Sequence, residues 1–531
     1  MKIPKKKELI ELQKKYRTDK KIGEVYGVPP RLVAYWRAKK NIGAYNLPKY
    51  SFEKILDIWE RYGDDALAGK ELSISGPGFR RWRKHYNILK KPAQLKMEQL
   101  ELGILDIPRP RKSSRRETFI RKILASKAGL KFVEVGQRVQ ITPDITFAVD
   151  NAGASIRQFY ENKTSKVWDS SKICVILNHL PMLENDSRAD KHKYIRDFVR
   201  KQGIECFYDI GWGIAHQVIL EEGLILPGQL ALGTDYYSAS PGCIGAFSAK
   251  ISPQDMADIW STGRLDFIVP ETVKVVISGH LPRGVSTSDI MLKISREISK
   301  VAREDNVLEF YGPAINAMTV PQRFGLVNLA IEAGARSAIV PFDEVTHRFI
   351  KKITKAKYKP VKIDLDAEYE QEVETDISYL TPQVVCPNDF KHISAVEEVA
   401  GKKIDHVVLG GFAHGCLDDL EIAARILSGR RIHRSTRLLV IPGSRRTYLE
   451  ALDKGYIRTF VESGGLVEIP SYGAAMSSLQ GMLAEGERAM ATTRVESCGQ
   501  EGRTEVYIAS PATAAASALK GAITDPRRYL I

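Results

Sequence analysis

Cysteine is scarce in this chain. Six are scattered over 531 residues (Cys174, Cys206, Cys243, Cys386, Cys416 and Cys498) with no Cys-x-x-Cys pair, which argues against a disulfide framework. No run of 18 apolar residues is present that would span a bilayer. The opening MKIPKKKELIELQKKY carries charge but no apolar stretch before a cleavage site, so neither a membrane span nor a secretory leader is expected and the expected location is the cytoplasm. A disordered or fibrous chain is excluded as well, because 44% of residues are hydrophobic, 27% charged, and Gly and Pro number only 40 and 25. That length holds several domains' worth of core.

What is present is a charge imbalance. The net charge of +15 is not spread evenly: residues 1–116 hold 29 Lys/Arg against 13 Asp/Glu, leaving 50 against 51 for the rest. Such asymmetry points to a basic module, most often for nucleic acid, attached to a near-neutral body.

The basic segment is a tandem repeat. An offset of 46 places Tyr16 on Tyr62, Gly23 on Gly69, Trp36 on Trp82, Arg37 on Arg83, Asn41 on Asn87 and Ile42 on Ile88, with apolar positions such as Leu9/Ile55 and Val33/Phe79 in register. The units run about 1–46 and 47–92. Each reads as a first helix (7–16; 52–62), a shorter second (20–26; 65–72), a turn and a third helix, a spacing that resembles helix-turn-helix units. In that motif the later helix enters the major groove. Here it carries Arg31, Tyr35, Arg37 and Lys39 in the first unit and Arg80, Arg81, Arg83 and Lys84 in the second. These are the expected nucleic-acid contacts, DNA favoured over RNA, while Trp36 and Trp82 are expected as core anchors. The competing reading is a pair of basic hairpins used for protein contacts or solubility. Residues 93–117, containing PRPRKSSRR, read as a basic linker.

From about 118 the pattern changes to short β-branched strands, such as CVIL at 174–177, VVLGG at 407–411 and LLVIP at 438–442, alternating with amphipathic helices. Long blocks follow in order: FYDIGWGIAHQ (207–217), EEGLILPGQLALGTDYYSASPGCIGAF (221–247), NLAIEAGA (328–335), GGFAHGCLDDLEIAARILSGR (410–430), GMLAEGE (481–487) and YIASPATAAASALKGAITDPR (507–527). Together they resemble the large subunit of 3-isopropylmalate dehydratase and, more distantly, aconitase, from 118 to 531. The resemblance implies a three-domain α/β/α body around a cleft. It also implies a 4Fe-4S cluster whose open iron acts as a Lewis acid in dehydration, and a separate small subunit that closes the site.

The positions that the resemblance assigns to the cluster have changed. Where the family has a cysteine in Gly-Ser-Cys-Thr-Asn this chain has Phe412, and the Cys-x-x-Cys pair falls on Tyr472 and Ala475. Phenylalanine and alanine cannot ligate iron and tyrosine offers only a hard oxygen, so no cofactor is expected, although Cys416, with Cys243, Cys386 and Cys498 in other blocks, leaves a relocated metal site open. The family's Asp-His reads Asn178-His179, its Asp-Ser-His-Thr reads Asp235-Tyr236-Tyr237-Ser238, and its Asn-Arg-Asn-Phe reads Arg494-Val495-Glu496-Ser497. His179, His216, Asp235 and Glu332 keep family positions as candidate acid–base residues. They either line a live pocket or are relics held by mutual hydrogen bonds.

Two functions follow. One is a cluster-free, aconitase-like regulator that binds nucleic acid through its repeats and senses a metabolite or oligomerises through its body. The other is a hydro-lyase of the dehydratase type, acting on a hydroxy-carboxylate with a small-subunit partner.

Overall fold

The computed structural model describes residues 4–16, 18–40, 42, 50, 52–62, 64–72, 74–85, 116–178, 186–301, 305–364, 366–387, 392–411, 414–472, 483–493 and 505–530. The chain divides into two compact units, Met1–Lys112 and Ser113–Ile531. No helix among the described residues is long and apolar enough to cross a membrane.

The first unit is two copies of one three-helix design: α1 (Lys6–Tyr16), α2 (Asp19–Tyr26) and α3 (Pro30–Lys39), then α4 (Phe52–Tyr62), α5 (Asp65–Glu71) and α6 (Gly76–His85). The duplication extends to local chemistry. Thr18 and Asp64, 46 apart, cap α2 and α5 by accepting backbone N–H bonds. Gly23 and Gly69 let the following turn pass close: a Cβ there would lie 2.4 Å from the Val28 carbonyl oxygen and 2.8 Å from that of Ile74. Each copy closes over its own small core, Leu9, Ile22, Val33 and Trp36 in one and Ile55, Ile58, Trp59, Ala68 and Phe79 in the other. The expected linker 93–117 lies outside the described residues up to 115.

The second unit holds three sheets and an antiparallel ribbon of β1 (Arg138–Ile141) with β7 (Leu265–Ile268). The first sheet contains β2 (Ile145–Ala148), β3 (Ile173–Ile176), β4 (Cys206–Tyr208), β5 (Leu230–Gly233) and β6 (Phe247–Lys250) in the order β4-β3-β2-β5-β6, all parallel. The second contains β8 (Glu271–Ser278), β9 (Asn306–Tyr311), β10 (Ser337–Ile339) and β11 (Gln371–Asp376) in the order β10-β9-β8-β11, also parallel. The third contains β12 (Gln383–Val385), β13 (Ile393–Ala395), β14 (His406–Gly410), β15 (Arg437–Ile441), β16 (Leu466–Val467), β17 (Arg488–Ala491) and β18 (Glu505–Ala509). Its order is β13-β12-β18-β17-β14-β15-β16, with β12 antiparallel to both neighbours.

Strands β2, β3, β5 and β14 are buried at every residue, as parallel strands covered on both faces must be. One core joins the first two sheets through Phe147, Ile176, Val275, Phe310 and Leu326. A second fills the opposite face of the first sheet with Phe119, Phe159, Phe198 and Trp260, and a third packs helices Leu417–Leu427 and Pro511–Lys520 on the last sheet. This is the three-layered α/β architecture expected for the body.

Candidate functional site

In an open parallel sheet a crevice forms beyond the carboxyl ends of the strands where the strand order reverses. The first sheet reverses between β2 and β5. The residues emerging there are Asp150 and Asn151 after β2, and Thr234 and Asp235 after β5, and the two loops clasp: Thr234 Oγ1 donates to Asn151 Oδ1 at 2.7 Å and Asn151 Nδ2 to the Thr234 carbonyl at 3.2 Å. The third sheet reverses between β14 and β17, where Gly410-Gly411 and Thr492-Thr493 emerge. Gly410 N donates to Thr492 Oγ1 at 2.9 Å. Gly410 takes φ +100°, and a Cβ there would lie 1.9 Å from the Ile441 carbonyl oxygen, so only glycine fits.

A side chain from the third sheet reaches the first sheet's reversal point. Tyr472, after β16, donates its Oη to Asp235 Oδ2 at 2.8 Å. The other oxygen of Asp235 accepts the Tyr237 backbone N–H at 2.8 Å, and His216 Nδ1 lies 3.5 Å from it. Tyr237 in turn donates its hydroxyl to Glu332. The His216 ring sits among Phe324, Tyr237 and Tyr472, with centroids at 5.5, 5.5 and 6.3 Å. Burial and the neighbouring carboxylates push both phenols well above the usual tyrosine range, so each remains a hydrogen-bond donor at neutral pH.

Beside this closed cluster lies an open one. The Asn178 backbone N–H donates to Asp150 Oδ2 at 2.9 Å, and His192 Nε2 lies 3.1 Å from Asp150 Oδ1. Asn178 is 4% exposed, yet among the described residues its Oδ1 and Nδ2 have no hydrogen-bond partner, and neither does the buried hydroxyl of Thr493. Buried polar atoms are nearly always paired. Asn178 follows β3 and Thr493 follows β17, and each directly precedes residues outside the described ones.

A family model described as the aconitase family (aconitate hydratase) matches residues 148–403 and 388–521. The 3-isopropylmalate dehydratase large subunit 1 of Methanopyrus kandleri is 40% identical over 417 residues, covering 78% of this chain and 100% of that protein. The chain belongs to the aconitase family. Its relatives also include the 3-isopropylmalate dehydratase large subunit of Moorella thermoacetica, 38% identical over 417 residues (78% of this chain, 99% of that one). A probable methanogen homoaconitase large subunit of Methanosarcina mazei is 39% identical over 389 residues (72% and 99%).

Family membership implies a 4Fe-4S cluster, and the residues at the three positions of the family's cysteines, Phe412, Tyr472 and Ala475, do not fit one. Tyr472, at a family cysteine position, commits its hydroxyl to Asp235. Phe412 and Ala475 lie outside the described residues, and neither side chain carries a ligating atom. Cys416 donates its thiol to Asp419 Oδ2 at 3.1 Å. Among the described residues, no group of three or more His, Cys, Asp or Glu is arranged to hold a metal ion.

Of the expected acid–base residues, the structure gathers His216 and Asp235 directly and Glu332 through Tyr237; His179 lies outside the described residues. Sequence reasoning missed Asp150, His192 and Thr493. Asp150 was findable, since it follows a buried strand in a parallel sheet; His192, on the helix Asp186–Gln202, left no local signal.

In the repeats, Arg31, Tyr35, Lys39, Arg80 and Arg81 are exposed as expected, and the side chain of Lys84 lies outside the described residues. Arg37 and Arg83 require correction as surface contacts. Both are buried, and each grips an aspartate in its own repeat: Arg37 Nε donates to Asp19 Oδ1 at 2.8 Å, and Arg83 Nε and Nη2 to Asp65 at 2.8 and 3.1 Å. Arg83 also lies over the Trp59 ring at 4.5 Å. The planar guanidinium serves here as an internal tie.

Proposed function

We propose that the body binds a small hydroxy-carboxylate beyond the carboxyl ends of the first sheet's strands without an iron–sulfur cluster, and that this binding regulates a nucleic-acid-binding N-terminal module. The observation that supports the reading is the buried amide of Asn178, without a hydrogen-bond partner among the described residues, beside a Tyr472–Asp235–His216 cluster in which Tyr472 stands at a family cysteine position. An amide donates and accepts but does not act as a base at neutral pH. Positioned phenols, kept protonated, supply hydrogen bonds rather than an electrophile strong enough to release hydroxide. Exposed Arg31, Tyr35 and Lys39 on α3 and Arg80 and Arg81 on α6 supply the surface for phosphate and base contacts.

A second reading is favoured by the comparisons. The relatives named above are dehydratase or homoaconitase large subunits matched over nearly their whole length, which supports a hydro-lyase acting on a hydroxy-carboxylate with a separate small subunit. Acid–base work would then fall to His216, Asp235 and Glu332.

One set of measurements separates the two. The purified full chain, reconstituted anaerobically, is assayed for iron and acid-labile sulfide, titrated with 3-isopropylmalate by calorimetry, and tested for turnover with an added dehydratase small subunit. The regulatory reading expects no stoichiometric cluster, saturable binding weakened by Asn178→Ala, and no turnover. Stoichiometric iron and sulfide with turnover would establish the hydro-lyase. The nucleic-acid component is abandoned if the full chain fails to bind duplex DNA or RNA even at low salt.

A further inference from the structure

A separate cavity of about 330 Å³ lies where helices from all three sheets of the body converge, on the other side of the helix Ala215–Glu221. That volume is at the lower end of the range for small-molecule sites. Its floor is apolar, formed by Leu220, Phe324, Phe349 and Leu417. The polar groups deep in it are already spent: Glu221 accepts from Ser444, Gln217 and Thr447, and Asp418 accepts from Thr319. Arg446, also on the lining, is held by Glu222 and the Glu221 carbonyl.

Two charges on the lining are uncommitted. Lys352, on the helix Glu344–Ile353, and Glu450, on the helix Arg445–Asp453, both line the cavity, and neither forms an ion pair among the described residues. The cation Lys352 and the anion Glu450, with the hydrogen-bonded carboxylates Glu221 and Asp418 also on the lining, give groups of both signs over an apolar floor, which matches a ligand that carries both charges on an apolar body. A free anion would meet Glu450 unpaired, and a free cation Lys352. We propose that this cavity is a binding site for a zwitterionic α-amino acid with a large apolar side chain, its carboxylate toward Lys352, its ammonium toward Glu450 and its side chain against Phe324 and Phe349. The site is independent of the carboxylate reading above, though it shares a wall with it: the Phe324 ring that lines the cavity also stacks on His216.

The test is calorimetric titration of the full chain with L-phenylalanine, glycine, 3-phenylpropionate and phenethylamine. Saturable binding is expected for L-phenylalanine alone, because each of the others lacks the side chain or one charge. Lys352→Glu and Glu450→Lys, both exposed positions that the fold tolerates, should each weaken it at least tenfold. Because Cys416 lines the same cavity, saturating L-phenylalanine should also slow its alkylation severalfold in the unmodified sequence, a readout that needs no variant. The proposal is overturned if L-phenylalanine gives no saturable binding, if either singly charged analogue binds within threefold of it, or if the charge reversals leave its affinity unchanged.

Discussion

The repeats and the body cleft both bury charged and polar side chains, and they differ in whether those groups are satisfied. In the repeats, Arg37–Asp19 and Arg83–Asp65 form closed, forked pairs reproduced at the same offset in each copy. In the cleft, Tyr472, Asp235, Tyr237 and Glu332 close on one another, while among the described residues Asn178 and Thr493 keep buried polar atoms without hydrogen-bond partners. Closed networks hold elements together. That difference is a better guide than residue type, since Arg37 and Arg83 look like surface contacts in the bare sequence.

The comparison is broken most forcefully at the repeat ties. Arg83→Ala leaves Asp65 largely buried with only Arg80 nearby, and loss of one partner of a buried pair costs about 3–5 kcal/mol. In so small a core, hydrogen-exchange protection across α4 to α6 should collapse while the body is untouched; retained protection would show the pair to be dispensable.

A closed site can still carry a cost that depends on pH. Asp289 is fully buried and accepts from the backbone of Ser286 and Gln383 and from the Ser286 hydroxyl. Burial nevertheless lifts its carboxyl to about 6. Its folded value is raised above the unfolded one near 4, so the stability it contributes is complete below about pH 4 and is lost as pH rises through 6. The loss is about 2–3 kcal/mol. Denaturation midpoints measured between pH 4 and 7 should show this fall, and Asp289→Asn should flatten it.

Smaller effects sharpen the contrast within the cleft. Tyr472→Phe removes a hydrogen bond to a buried carboxylate and should lower stability by about 1.5–3 kcal/mol in chemical denaturation. Asn178→Leu, of similar size, removes only unspent polar atoms. It should leave the free protein unchanged or raise its midpoint by up to about 1 kcal/mol, while abolishing carboxylate binding; a large destabilisation would mean the amide is structural after all. Smallest of all, Arg31→Ala and Arg81→Ala should move stability by less than about 0.5 kcal/mol. Each should reduce the salt slope of nucleic-acid binding by about 1.

Much of this was legible in advance. The 46-residue offset located all six repeat helices, because a duplicated pattern of apolar positions dictates the same helices twice, and the body's family was readable from its long ordered blocks. The replaced cofactor positions were visible too, as Phe412, Tyr472 and Ala475. What misled was local context: Arg37 and Arg83 sit on a basic helix among residues that do face outward, and nothing in that helix shows that an aspartate 18 positions earlier lies against them.

Chain order and side-chain chemistry alone determined the duplicated helical unit, the parallel α/β body and the absence of thiolates at the family's ligand positions, since these depend on periodicity and residue type. Only the tertiary structure decided which polar atoms are spent. Tyr472 reaches Asp235 across 237 residues, the Asn178 side chain finds no hydrogen-bond partner among the described residues, and Lys352 and Glu450 meet a shared cavity from two different helices. Hydrogen-bond satisfaction is a property of distances of about 3 Å between segments remote in sequence, and no one-dimensional pattern records it.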